Sequence, residues 1–129
     1  MPSLVKKKKN AEPEFLPNTL RIAELAADKK AVNIKAYDVR GLTLVADCFV
    51  CCTARSEPQV KAVFKSVQEG LKKIGIAPLH VEGSPQGGWL LIDYGDILVH
   101  IFREEAREFY DLDGLWGDAP LVDLHLEDA

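Results

Sequence analysis

Cys48-Phe49-Val50-Cys51-Cys52-Thr53-Ala54-Arg55-Ser56-Glu57-Pro58-Gln59 is the stretch on which the fold turns. Its first five residues are apolar without alternation, so neither side of a strand built from them faces water. Such a strand lies in the middle of a sheet covered on both faces. Ser56 followed three residues later by Gln59 is a capping box, and Pro58 suits a first helical turn, so a helix starts here. Val60, Val63, Phe64, Val67, Leu71 and Ile74 then recur at helical spacing as one apolar stripe, and Gly75 is placed to end the helix in the left-handed region. Gly70 weakens that helix by about 1 kcal/mol relative to Ala. A strand, a helix and a further strand in succession imply at least one parallel pair.

Upstream of this unit, Leu20, Ala23, Ala27 and Ala31, widened by Ile22, Leu25 and Ala26, predict an amphipathic helix from Thr19 to about Lys30. Val32, Ile34 and Ala36 alternate with Asn33, Lys35 and Tyr37 as in a half-buried strand. Asp38-Val39-Arg40-Gly41 is a turn, and the central strand is expected to begin at Leu42 and end at Cys52. Downstream, Leu79 to Glu82 is a short strand and Gly83-Ser84-Pro85-Gln86-Gly87-Gly88 a loop. Trp89 to Tyr94 and Ile97 to Phe102 flank Gly95-Asp96, which fits a type II′ hairpin turn. Glu104 to Tyr110 reads as a short acidic helix, and the remainder as an irregular tail. The economical architecture is α+β, a mixed five-stranded sheet flanked by helices.

At 129 residues, one hydrophobic core is expected and two are not. No run of about 20 apolar residues is present, and no apolar core of a secretory signal, so neither membrane insertion nor secretion is expected. Three cysteines within five positions cannot form a disulfide framework, which fits a reducing cytoplasm. Charge divides unevenly: Met1 to Phe102 carries a net +3 and Arg103 to Ala129 a net −7. An acidic end of this kind favours a basic partner surface over bare nucleic acid. Residues 1–17, with Lys6 to Lys9 and three prolines, read as a mobile basic arm, solvated or gripping RNA phosphate; residues 18–122 as the folded domain; residues 123–129 as an acidic tail.

Candidate chemistry is thin. Cys48, Cys51 and Cys52 with His80, His100 and His125 hold enough ligand atoms for a metal, yet alternate strand residues face opposite ways and no second Cys-x-x-Cys pair exists, so core packing by thiols is the better reading and no cofactor is expected. Ser56 is explained as a cap and Ser84 as a loop residue, which leaves no nucleophile in an activating environment. Asp93 and Asp96 suggest metal-assisted nucleotidyl transfer, the alternative function. They lie three apart across a glycine turn, however, whereas carboxylates sharing a metal from one strand lie two apart on one face. What stands out is a set of hot-spot residue types late in the chain: Trp89, Tyr94, Arg107, Phe109, Tyr110 and Trp116. Tyr94, beside the turn at a sheet corner, is the most exposed candidate on this reading.

Asp47-Cys48-Phe49-Val50, Thr53-Ala54-Arg55-Ser56 with Gln59-Val60, Val81-Glu82-Gly83, the string from Gly88-Trp89 through Asp93-Tyr94-Gly95-Asp96 to Val99-His100, and Arg107-Glu108-Phe109-Tyr110 with Leu115-Trp116 resemble, in this order, the ribosomal silencing factor or Iojap-like family. The resemblance spans about Leu20 to Val122. It implies a sheet related to the nucleotidyltransferase fold without that fold's catalytic carboxylate pair, and no enzyme activity. It further implies binding to the fourteenth protein of the large ribosomal subunit, obstruction of subunit joining and repression of translation. The matched contact positions are Trp89, Tyr94, Gly95, Asp96, Arg107 and Tyr110, with His100 serving packing. Self-association of the free chain and a peripheral touch of the Lys6 to Lys9 arm on ribosomal RNA accompany this reading. Ala54 stands where the family often has Gly.

Overall fold

A computed structural model of the chain describes residues 12–126; the Lys6 to Lys9 arm and the last three residues of the acidic tail lie outside them. The elements run α1 (Leu16–Asp28), β1 (Val32–Asp38), β2 (Cys48–Ala54), α2 (Glu57–Lys72), β3 (His80–Ser84), β4 (Trp89–Asp93), β5 (Ile97–Arg103), α3 (Glu104–Tyr110) and α4 (Leu112–Leu115). The five strands form one sheet in the order β1-β2-β5-β4-β3, in which β2 and β5 are parallel and the other neighbours antiparallel. The crossover through α2 therefore carries the chain to the far edge. From there β3 and β4 fold back until β5 takes the place beside β2.

Every residue of β2 is buried, as a strand covered on both faces requires. Cys48, Val50, Cys52 and Ala54 face α1 and α2, where they meet Ile22, Ala26, Val60, Val63, Val67 and Leu71. Phe49 and Cys51 face the other side, toward Leu98, Phe102 and Trp116. The capping box holds: Ser56 Oγ accepts from Gln59 N–H at 3.2 Å, and Gln59 Nε2 reaches across to the Lys29 and Lys30 carbonyls, so one side chain closes the end of α1 and the start of α2. Gly70 also has a use. A Cβ there would lie 2.5 Å from Leu25 Cδ1, so the missing side chain leaves room for the Leu25 tip between α1 and α2.

Several expected boundaries move. Leu16 and Pro17, read as the end of the arm, form the first turn of α1, and Phe15 before them is buried. The central strand starts at Cys48 instead of Leu42, because Leu42 to Asp47 leave the sheet as a loop. Ile74 lies beyond α2 and is exposed. Gly83 and Ser84, assigned to a loop, pair with Leu90 and Trp89 as the end of β3. The segment after Tyr110 is less irregular than expected: α4 follows, residues 120–122 run along the free edge of β1 with Val122 N–H donating to the Ala36 carbonyl at 2.8 Å, and Leu124 packs on the core beyond the expected domain end.

Candidate functional site

The sheet face opposite α1 and α2 is built on β4 and β5, whose alternate residues Trp89, His100 and Phe102 point the same way. Phe102 is buried at the base. Trp89 stacks on it with ring centroids 5.2 Å apart, Tyr110 lies against Trp89 at 4.4 Å, and Phe109 meets Tyr110 edge-on at 5.1 Å. Such stacks hold large rings in fixed positions at low entropic cost. Behind them, Trp89 Nε1–H donates to His100 Nδ1 at 3.2 Å, which fixes the indole edge. His100 is buried, and burial pulls its imidazole down to about 4, so it stays neutral and remains an acceptor at that nitrogen. The outermost rings are open to solvent: Tyr110 is 47% and Phe109 81% exposed.

α3 and α4 are positioned by Arg107, which is 5% exposed. Its Nε and Nη2 donate to the two carboxylate oxygens of Asp113 at 2.8 and 3.0 Å, while Nη1 reaches the Asn33 carbonyl and Thr53 Oγ1. Tyr37 O–H donates to the same Asp113 carboxylate at 2.6 Å. The hydrogen bond from Arg107 chiefly, against the opposing pull of burial, holds Asp113 down at about 2. Arg107 was expected at the contact surface. Its donors are instead committed within the chain, where the guanidinium pins the two helices to β1 and β2.

Tyr94, expected to be the most exposed anchor, is half-buried; its ring packs on the core under α1 and α2, and its Oη is buried with no partner among the described residues. The turn beyond it is tight. Gly95 has φ +94°, its N–H donates to the Asp93 carboxylate at 2.7 Å, and Asp96 is exposed. Asp93 thus clamps the turn through one carboxylate oxygen. Among the described residues no three His, Cys, Asp or Glu side chains converge as metal ligands. The three cysteines are buried, and burial pushes each thiol up to about 12, far from a thiolate nucleophile or ligand. Nor, among the described residues, is any helix long and apolar enough to cross a membrane.

The family described as ribosomal silencing factor during starvation matches residues 12–129, most of the chain. The chain belongs to the ribosomal silencing factor family. Ribosomal silencing factor RsfS of Bacillus subtilis is 42% identical over 106 residues, covering 81% of this chain and 90% of that one, and the Halalkalibacterium halodurans factor is 42% identical over 75% and 83% respectively. A crystal structure of a Chromobacterium violaceum protein superposes with a TM-score of 0.77 at 32% identity, covering 91% of this chain and 97% of that one. Ribosomal silencing factors are non-enzymatic ribosome-binding factors, which sets aside the nucleotidyltransferase alternative.

Within this ribosomal silencing factor fold, Trp89 and Tyr110 come together at one end of β4, whereas Tyr94, Gly95 and Asp96 sit at its other end, about 17 Å along the strand at roughly 3.3 Å per residue. The matched positions thus make two patches on one molecule, with Arg107 inside. The Tyr37 to Asp113 bond has no counterpart in the sequence reading. Asp113, three residues past the acidic helix, carries no local signal, because its partners are 76 and 6 residues away.

Proposed function

We propose that this ribosomal silencing factor docks on the fourteenth protein of the large ribosomal subunit and represses translation by filling space that the small subunit needs. The observation that carries this reading is the exposed edge of the aromatic stack, Phe109 and Tyr110, standing on the rigid base of Trp89 and Phe102, on a helix whose Glu104, Glu105 and Glu108 carboxylates are exposed, as is Asp111 just after it. An apolar centre with an acidic rim complements a basic protein surface, and roughly 800 Å² per partner suffices for a specific complex. Tyr94 contributes by holding the Gly95 to Asp96 corner from beneath, and that corner forms the second patch. Obstruction then follows from volume, with no chemical step. Self-association of the free chain through the same exposed rings goes with this reading.

Tyr110→Ala tests it, because Tyr110 is exposed and its loss leaves the core intact. Cosedimentation with isolated large subunits is expected to weaken by about 30-fold, the hot-spot scale of about 2 kcal/mol. Binding equal to that of the parent chain would contradict it.

A further inference from the structure

Between β1 and β2 the chain leaves the sheet as a closed loop. Val39 N–H donates to the Asp47 carbonyl at 2.9 Å, and the Val39 carbonyl accepts from Leu42 N–H at 3.0 Å. Thr43 Oγ1 accepts from Val45 N–H at 3.2 Å, which stiffens the tip. Val39 and Ala46 bury the neck in the same cluster as Phe49, Leu98 and Phe102, on the aromatic side of the sheet. The neck is therefore fixed from within. Its tip is the opposite: Leu44 is fully exposed, and Leu42 and Val45 are more than half exposed. These aliphatic side chains add nothing to the fold, and compact loops with adjoining ends are frequently functional.

The loop is joined to the second patch. The Asp96 carbonyl accepts from Asp47 and Cys48 N–H at 2.9 and 3.0 Å, so the loop's end and the β4 to β5 turn move as one piece. Both Asp47 and Asp96 are exposed, and neither is in a salt bridge among the described residues. The nearest cation in sequence, Arg40, is paired with Asp38 at 2.7 Å.

We infer that residues 42–45 form a second docking element, which seats Leu44 and Val45 in an apolar recess of a basic protein surface while Asp47 and Asp96 meet its cationic rim. This rests on the proposed docking to the large subunit and adds a contact to it. Charge selects the occupant. Residues 41–47 hold no Lys or Arg to meet RNA phosphate or an anionic lipid surface, the neighbouring Arg40 is engaged by Asp38, and the exposed carboxylates of Asp47 and Asp96 repel both. A second copy seated here would bring the same exposed carboxylates and, from its own residues 41–47, no Lys or Arg to meet them.

The experiment compares the parent chain with Leu44→Ser/Val45→Ser in cosedimentation with isolated large subunits, alongside thermal unfolding of each and sedimentation velocity without ribosomes. The expected result is at least tenfold weaker binding by the double variant at an unchanged unfolding midpoint and an unchanged oligomeric state. Parent and variant that pellet equally would overturn the loop assignment and leave the proposed function standing. A parent that fails to pellet would overturn both. A variant that differs from the parent only by losing a dimer would make the loop a self-contact and overturn the inference too.

Discussion

Arg107 illustrates how one side chain can serve a surface without being on it. Burying a guanidinium is costly unless its donors are satisfied, and here they meet Asp113, Thr53 and the Asn33 carbonyl, so removal leaves the Asp113 carboxylate with Tyr37 O–H but without its countercharge, and a hydroxyl and a carbonyl without the Arg107 donor. Arg107→Met is expected to cost about 3 kcal/mol of stability by urea unfolding, and Arg107→Lys nearly as much because an ammonium cannot fork. A loss below about 1 kcal/mol for Arg107→Met would contradict the clamp. Two titrations follow from the same neighbourhood. His100 is held at about 4 by burial, so the unfolded chain takes up its proton first and stability declines as pH falls from 6.5 toward 4. Asp113 is held at about 2, so its contribution is whole above 3.8 and disappears as pH falls to about 2. His100→Gln is expected to reduce the slope of stability against pH in the upper window, and Asp113→Asn in the lower one. Unchanged slopes would remove these groups from the acid response.

At the scale of elements, the β3 to β4 hairpin depends on one backbone position. Gly83 has φ +85°, and a Cβ there would overlap the Trp89 carbonyl oxygen, which is backbone and cannot swing aside. Gly83→Ala is expected to destabilise the chain by about 3 kcal/mol and to release hydrogen-exchange protection in β3 before β2, whereas protection lost uniformly would show the hairpin is not the weak point. The elements that could be read from the sequence were those whose signals are local. The Ser56 cap with the stripe behind it marks α2, the unbroken apolar run at Cys48 marks a doubly covered strand, and Gly95-Asp96 between alternating runs marks a hairpin. Leu42, Leu44 and Val45 mimic a strand pattern, yet they lie in a loop, because Val39 and Asp47 close on each other and take the backbone out of the sheet. Gly83 and Ser84 look like a loop yet complete a strand, because only Gly tolerates that backbone there. Among the expected contact residues, exposure was the least legible property. Tyr94 and Arg107 carry hot-spot chemistry, but what buries them comes from Asn33, Thr53 and the helix-covered core, distant in sequence.

Taken as a whole, the molecule separates its tasks by face. α1 and α2 seal one side of the sheet with aliphatic side chains, while the other side presents fixed rings at one end of β4 and an acidic corner at the other. The exposed carboxylates of Glu104, Glu105, Glu108 and Asp111 lie on the side that carries α3 and α4, so association with a basic surface is expected to slow and weaken as salt rises. Nothing in this arrangement needs a bound cofactor or a reaction; the account requires a rigid body of the right charge in the right place. Its central claim is obstruction. The most direct measurement mixes small ribosomal subunits with large subunits already saturated by this protein and follows association by light scattering. The account predicts that association falls in proportion to the large subunits occupied, and that Tyr110→Ala, added at the same concentration, lowers it less, in step with the smaller share of large subunits it occupies. Fully occupied large subunits that still join small subunits to the normal extent would contradict it.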